Sequence, residues 1–300
     1  MPITDDTYEY WEVLVTVCKT SEERKAFNYR YERVYKPLCL HGFNDYSSAW
    51  TAAGKWWAAQ GITTYAYDQR GFGDTADRGV WAGTDLLCRD LREFIVLVER
   101  RNPGKPVYVV GESMGGAVAL VTLARPDAPK VAGIVLGAPA VWGRATMSPL
   151  YRSVLWLSVH LMPWNRVTGQ GLNIQASDNI EMLRALGRDP LVIKSTRVDA
   201  VYGLVNLMDA ALAAASEIKT PALVLYGKRD EVIPRGPVEQ MLERWDGPHR
   251  VALYPDGWHM LFRDLQAERV WRDVLSWIRD RAAPLPSGYE QDGLPLFVKR

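Results

Sequence analysis

Residues 106–124, PVYVVGESMGGAVALVTLA, read in order as a buried strand, a Gly-x-Ser-x-Gly turn and a helix. This stretch limits the fold more than any other part of the chain. A strand that feeds a helix through a turn this short must reverse direction within about three residues. Gly111 and Gly115 are the positions where a side chain would clash across such a turn, and Ser113 is the residue it lifts off the sheet. The helix that follows directs its N-terminus at the same point, where a developing negative charge is favoured.

The rest of the chain supplies the surroundings such a unit requires. GITTYAYD (61–68), VAGIVLGA (131–138), PALVLYG (221–227) and RVALYP (250–255) read as further strands. Their apolar residues are consecutive rather than alternating, as in parallel strands buried on both faces. Helical patterns lie between them at 47–60, 84–101, 114–124, 235–245 and 267–282. Strand–helix alternation predicts an α/β fold with a mostly parallel sheet flanked by helices. Residues 139–216 break the alternation. They hold no strand pattern, a helix at 177–187 opening on Asp178 and Glu181 at capping-box spacing, and a helical run at 195–215. The expected division is a core of 1–138 and 217–282, an inserted all-helical cap at 139–216, and a loose Pro/Gly-rich tail at 283–300.

Composition removes several classes of function. The 36 basic and 35 acidic residues leave a net charge of +1, so no electrostatic case for nucleic acid exists. Cys18, Cys39 and Cys88 are far apart and lack metal-ligand spacing, which reads as free thiols in a reducing compartment or simply as core residues. No metal and no organic cofactor is expected. The acidic opening MPITDDTYEYWEV has no signal-peptide pattern, and no run approaches the ~18 apolar residues of a membrane span. A soluble, cytoplasmic protein is the expectation.

A serine needs a base to act as a nucleophile. The four histidines are 41, 160, 249 and 259. The order Ser, acid, His removes His41. His160 lies in an apolar run of the insertion, and His249 precedes its strand. Sites in parallel sheets lie at the carboxyl ends of strands, which selects His259, in the loop after RVALYP. Asp230, after PALVLYG, is the acid expected to orient it. The adjacent Glu231 and the turn residue Asp256 are the alternatives. Acyl transfer also needs two oxyanion donors. Met114 N–H follows the serine, and Phe43 N–H sits in the loop of LCLHGFND (38–45), where His41 is read as shaping the loop.

HGFNDYS (41–47), YDQRGFGDT (67–75), GESMGG (111–116), GKRDEVIP (227–234) and DGWHMLFRD (256–264) together resemble the α/β-hydrolase superfamily, more narrowly its monoacylglycerol lipase and lysophospholipase group. The resemblance implies a Ser113–Asp230–His259 triad and a helical cap over the site at 139–216. The N-terminus departs from the pattern. CKTSEERKAFNYRYERVYK (18–36) lacks the expected Asp-Gly turn, and Pro37 stands where a central strand should run. This segment is either divergent or altered by a local change of reading frame.

The insertion is rich in Trp, Met and Leu, which suits an acyl chain because each buried methylene contributes about 0.8 kcal/mol. Trp142, Trp156, Leu204 and Met208 are the candidate pocket residues, and residues 151–164 are a candidate membrane contact. The expected activity is hydrolysis of single-chain lipid esters. A carboxylesterase, thioesterase, acyltransferase or non-catalytic binding protein on the same fold are the alternatives.

Overall fold

The computed structural model describes residues 35–291, apart from 170, 172 and 173. The readings made for Cys18, for the rest of 1–34 and for 292–300 lie outside the described residues.

Six strands form one parallel sheet: β1 (Lys36–Leu40), β2 (Tyr65–Ala66), β3 (Val107–Glu112), β4 (Gly133–Gly137), β7 (Ala222–Gly227) and β8 (His249–Tyr254), in the order β2-β1-β3-β4-β7-β8. Side chains alternate between two buried faces. Leu38, Val109, Ile134 and Val224 join one cluster with α2 (Thr84–Arg101), α3 (Met114–Leu123), α6 (Val198–Ala214) and α7 (Arg235–Glu243). Cys39, Val110, Val135 and Leu223 face α1 (Thr51–Ala59) and α8 (Ala267–Arg279). Burial on both faces accounts for the unbroken apolar runs.

Pro37 lies inside β1, contrary to the objection raised from its missing N–H. Successive residues of a parallel strand bond to opposite neighbours. Lys36 N–H donates to Pro106 O at 3.0 Å, so Lys36 faces β3 and Pro37 faces the other side. Pairing with β2 starts only at Leu38. The absent donor therefore points past the end of β2.

Three other expectations are corrected. The tail is held through residue 291, where Leu253 N–H donates to Tyr289 O and Gln291 N–H to Val251 O, covering the β8 edge. The helix expected to start at Asp178 is α5 (Ile180–Arg188), capped by Asn179, whose side chain accepts from Met182 N–H. Asp178 instead accepts from Leu265 N–H at 2.8 Å. The insertion also contains one short antiparallel pair, β5 (Arg166–Val167) with β6 (Thr196–Arg197), in addition to its helices α4 (Pro149–Leu161), α5 and α6. Two-residue strands leave no periodicity to read.

The stretch Val198–Glu217 is long and apolar enough to cross a membrane, with mean hydropathy 1.4, so the expectation that no such run exists does not hold. Half of it is buried within the protein. Val205, Leu207, Met208, Ala211 and Leu212 pack with α3 in the main core, so its apolar character is that of a core helix.

Candidate active site

β3 ends at Glu112 and α3 begins at Met114, leaving Ser113 alone between them. Its φ of 53° and ψ of −116° are unfavourable for a residue with a Cβ, at a cost of about 1–3 kcal/mol. The surroundings hold it there. Ser113 N–H donates to Gly137 O at 2.9 Å, and Ser113 O accepts from Ala140 N–H at 3.0 Å. A Cβ on Gly111 would lie 2.5 Å from Gly116 N, across the turn as expected. A Cβ on Gly115 would lie 2.3 Å from Leu40 O. Gly115 thus serves the packing of α3 on β1, not the turn itself.

The loops after β7 and β8 meet because Gly227 has no side chain. A Cβ there would stand 2.4 Å from Gly257 O. Arg229 N–H donates to that same oxygen at 2.9 Å. This contact brings Asp230 to His259, with Nδ1 of the ring donating to Oδ2 at 2.9 Å. Asp230 Oδ1 accepts from Val232 N–H and Ile233 N–H at 2.8 and 2.9 Å, so the carboxylate cannot turn away. With Nδ1–H committed, Nε2 of the neutral ring is an acceptor. Burial acts most strongly on His259 and opposes its charge, but the charge and hydrogen bond of Asp230, with Glu112, outweigh burial and raise its pKa above the ordinary 6.5.

The other acids and histidines lie elsewhere. Glu231 accepts from Gln175 N–H of the insertion at 2.7 Å. Asp256 forms a surface ion pair with Arg229. His160 stacks on Trp156 with ring centroids 4.2 Å apart, on an exposed helix. His249 starts β8, at the opposite end of the sheet from His259. His41 shapes its loop. Its buried ring donates to Gly42 O at 2.8 Å and accepts from Gln69 N–H at 2.9 Å, which requires the neutral form, and burial lowers its pKa accordingly.

The loop after β1 carries Phe43. Asn44, at φ 66°, ties it to the insertion: Asn44 O accepts from Ile193 N–H at 2.9 Å and its side chain donates to Thr196 Oγ1 at 2.7 Å. Among the described residues, no protein acceptor takes the N–H of Phe43 or of Met114. Met114 N–H is also one of the free donors at the start of α3. The Phe43 ring packs on Phe72 and Trp81, at centroid distances of 5.5 and 6.2 Å. Trp81 in turn abuts Gly203 of α6, where a Cβ would lie 2.3 Å from the indole.

Of the four pocket candidates, Met208 is buried in the main cluster, and Trp142 and Leu204 pack against it. Trp156 is 55% exposed and is not with them. Sequence reasoning missed Arg263, whose buried guanidinium meets Asp45 and Glu112. A signal existed: Glu112 is a charge inside an apolar strand, and such a charge demands a buried partner. It also missed Asp264, which accepts from Ser177 Oγ at 2.6 Å and Trp258 N–H at 2.8 Å. Burial raises Asp264 to about 6, against those two hydrogen bonds.

Comparison with known families agrees with this architecture. The model of the serine aminopeptidase S33 family matches residues 37–266, which include all of these loops. The chain belongs to the serine aminopeptidase S33 family. Proteins similar to the chain carry lipase names. The monoacylglycerol lipase of Mycolicibacterium smegmatis is 25% identical over 80% of this chain and 86% of its own length. The human monoglyceride lipase is 23% identical over 81% and 82%. A soluble variant of the Saccharomyces cerevisiae monoglyceride lipase, solved with a substrate analogue, superposes with a TM-score of 0.71 at 21% identity, over 84% of this chain and 88% of that one. The fold is that of the α/β hydrolases. A second model, of the homotrimeric ring hydroxylases, matches residues 1–62. Its described part, 35–62, holds β1 of the sheet and the helix α1 packed on it.

Proposed function

We propose that this S33 family member hydrolyses carboxylic esters of single-chain lipids, monoacylglycerols or lysophospholipids, through an acyl-enzyme on Ser113. The observation that carries this reading is the buried His259–Asp230 pair at the carboxyl end of the sheet that also presents Ser113 on its strained elbow. Ser113 Oγ attacks the ester carbonyl carbon as its proton passes to His259 Nε2. Asp230 stabilises the imidazolium. The N–H groups of Phe43 and Met114 hold the oxyanion. Collapse of the tetrahedral species breaks the ester C–O bond, and His259 returns the proton to the departing alcohol. Water, deprotonated by His259, then attacks the acyl-enzyme to release the fatty acid and restore Ser113.

The family name raises peptide cleavage as a second reading. An aminopeptidase must neutralise a free amino terminus. The buried carboxylates nearby are already engaged, Asp45 and Glu112 by Arg263 and Asp264 by Ser177 and Trp258, and the exposed Glu231 accepts from Gln175. That engagement favours the ester. The test is a panel of p-nitrophenyl esters, monoacylglycerols, lysophospholipids, acyl thioesters and aminoacyl p-nitroanilides, with fluorophosphonate labelling of Ser113. Turnover confined to the anilides would overturn the lipid reading, and an unlabelled folded protein would favour a binding role.

In this reading residues 139–216 act as a cap over the core, and the acyl chain lies against Trp142, Leu204 and Met208. Leu204→Ala should lower the ratio of dodecanoyl to acetyl kcat/KM about tenfold, the worth of nearly two methylenes of contact. An unchanged ratio would remove Leu204 from the pocket. The reading also includes a membrane contact. Helix α4 has no buried residue, and Leu150, Leu157, Leu161 and Trp164 are each more than half exposed. An apolar face of this kind suits the headgroup boundary where such substrates partition. The Leu157→Glu/Leu161→Glu variant should lose co-sedimentation with phosphatidylcholine vesicles while p-nitrophenyl acetate hydrolysis stays within about twofold. A reducing, cytoplasmic location is supported by the buried, unpaired Cys39 and Cys88.

A further inference from the structure

Three segments carry the proposed chemistry, and one buried cation touches the loop after β1 and the end of β3 while belonging to the loop after β8. Arg263 lies four residues after His259, and its side chain is 8% exposed. Its Nη2 stands 2.6 Å from Asp45 Oδ2, two residues after Phe43. The same Nη2 donates to Glu112 Oε2 at 3.1 Å, one residue before Ser113. Both carboxylates are as buried as the guanidinium. The backbone of Arg263 is fixed as well, with its N–H donating to Met260 O at 2.8 Å and its O accepting from Asn179 Nδ2 at 3.0 Å.

We propose that Arg263 is a positioning residue, whose guanidinium holds the loops of Phe43, Ser113 and His259 in one register through Asp45 and Glu112. This rests on the Ser113–His259 reading above. Arg263 makes no contact with substrate in this role and acts through the two carboxylates. One nitrogen, Nη2, held in the plane of a rigid guanidinium, meets two acids from different segments at once, whereas the ammonium of lysine is a point charge on a flexible stem. The cluster also places one cation between two anions beside His259. The charged groups that face the imidazole are Asp230 from the β7 loop, Glu112 from β3 and Arg263 from its own loop, with Asp45 behind Arg263. Glu112 favours the imidazolium and Arg263 opposes it.

The experiment measures kcat, KM and the acid limb of kcat/KM on p-nitrophenyl butyrate, with thermal unfolding, for Arg263→Met, Arg263→Lys, Glu112→Gln and Ser113→Ala. Misplacing reacting groups by about 1 Å costs about 10²-fold, so Arg263→Met should lose about that much kcat with KM nearly unchanged. Arg263→Lys should recover part of the loss. Glu112→Gln should move the acid limb to lower pH, because it removes a charge that favours the imidazolium. A residue that only stabilised the fold would lower the unfolding temperature and leave both the kcat–KM split and the limb in place. A folded Arg263→Met with kcat near wild type overturns the proposal, as does a Glu112→Gln limb that does not move. If Arg263→Met is insoluble, Arg263→Lys and Glu112→Gln decide: unchanged kcat in the first, or an unmoved limb in the second, overturns it. An active Ser113→Ala would overturn the site reading itself. An inactive Ser113→Ala beside normal Arg263 variants would overturn only the role of Arg263.

Discussion

Ser113→Ala is expected to lower turnover of p-nitrophenyl butyrate by about 10⁴-fold or more, because the proposed mechanism forms its acyl-enzyme on Ser113. The protein should stay folded. The substitution removes one atom, and alanine meets the φ of 53° with the same Cβ that serine has. The backbone bonds to Gly137 and Ala140 are unaffected, since they use only N–H and C=O. Initial rates, intact mass after fluorophosphonate treatment and thermal unfolding check the result together. A folded Ser113→Ala that still turns over near the wild-type rate would exclude Ser113 as the nucleophile.

Asp230→Asn should lower kcat by about 10³- to 10⁴-fold. The amide oxygen can still accept from Val232 and Ile233 N–H, so the loop keeps its shape. The amide NH2 then faces His259 Nδ1, which must become the acceptor. The ring proton moves to Nε2, and the base can no longer take a proton from Ser113. The sign of the pH effect follows too. Asp230 raises the pKa of His259, so the residual acid limb of kcat/KM should lie at lower pH than in the wild type. Glu231→Gln should change kcat by no more than about twofold, since its oxygen still accepts from Gln175 N–H and a neutral acceptor replaces a charged one at an exposed contact. If the two variants behaved in the opposite way, Glu231 would be the acid.

Much of this site could be read from residue order because its logic is local. Ser113 is marked by glycines whose absence of side chains the turn and the neighbouring strand both require. His259 and Asp230 are marked by being polar residues just past the carboxyl ends of buried strands. The parallel strands were visible for the same reason, since burial on both faces leaves apolar runs that a loop would not keep. Pro37 misled because propensity counts a lost donor without knowing which neighbour that donor would have met. The β5–β6 pair and the held tail escaped notice because two-residue contacts carry no period.

The chain order alone determined the class of fold, the nucleophile candidate and the candidate histidine, and it narrowed the acid to Asp230, Glu231 and Asp256. Each of these depends on a residue type and its distance from a strand end. Tertiary structure alone decided that Glu231 accepts from Gln175, that Met208 is buried while Trp156 is exposed, and that Arg263 joins Asp45 and Glu112. Asp45 and Arg263 lie on two separate loops and Glu112 at the end of a strand. No local pattern encodes their meeting, because what brings them together is sheet order, and what makes it matter is the cost of leaving buried charges unpaired.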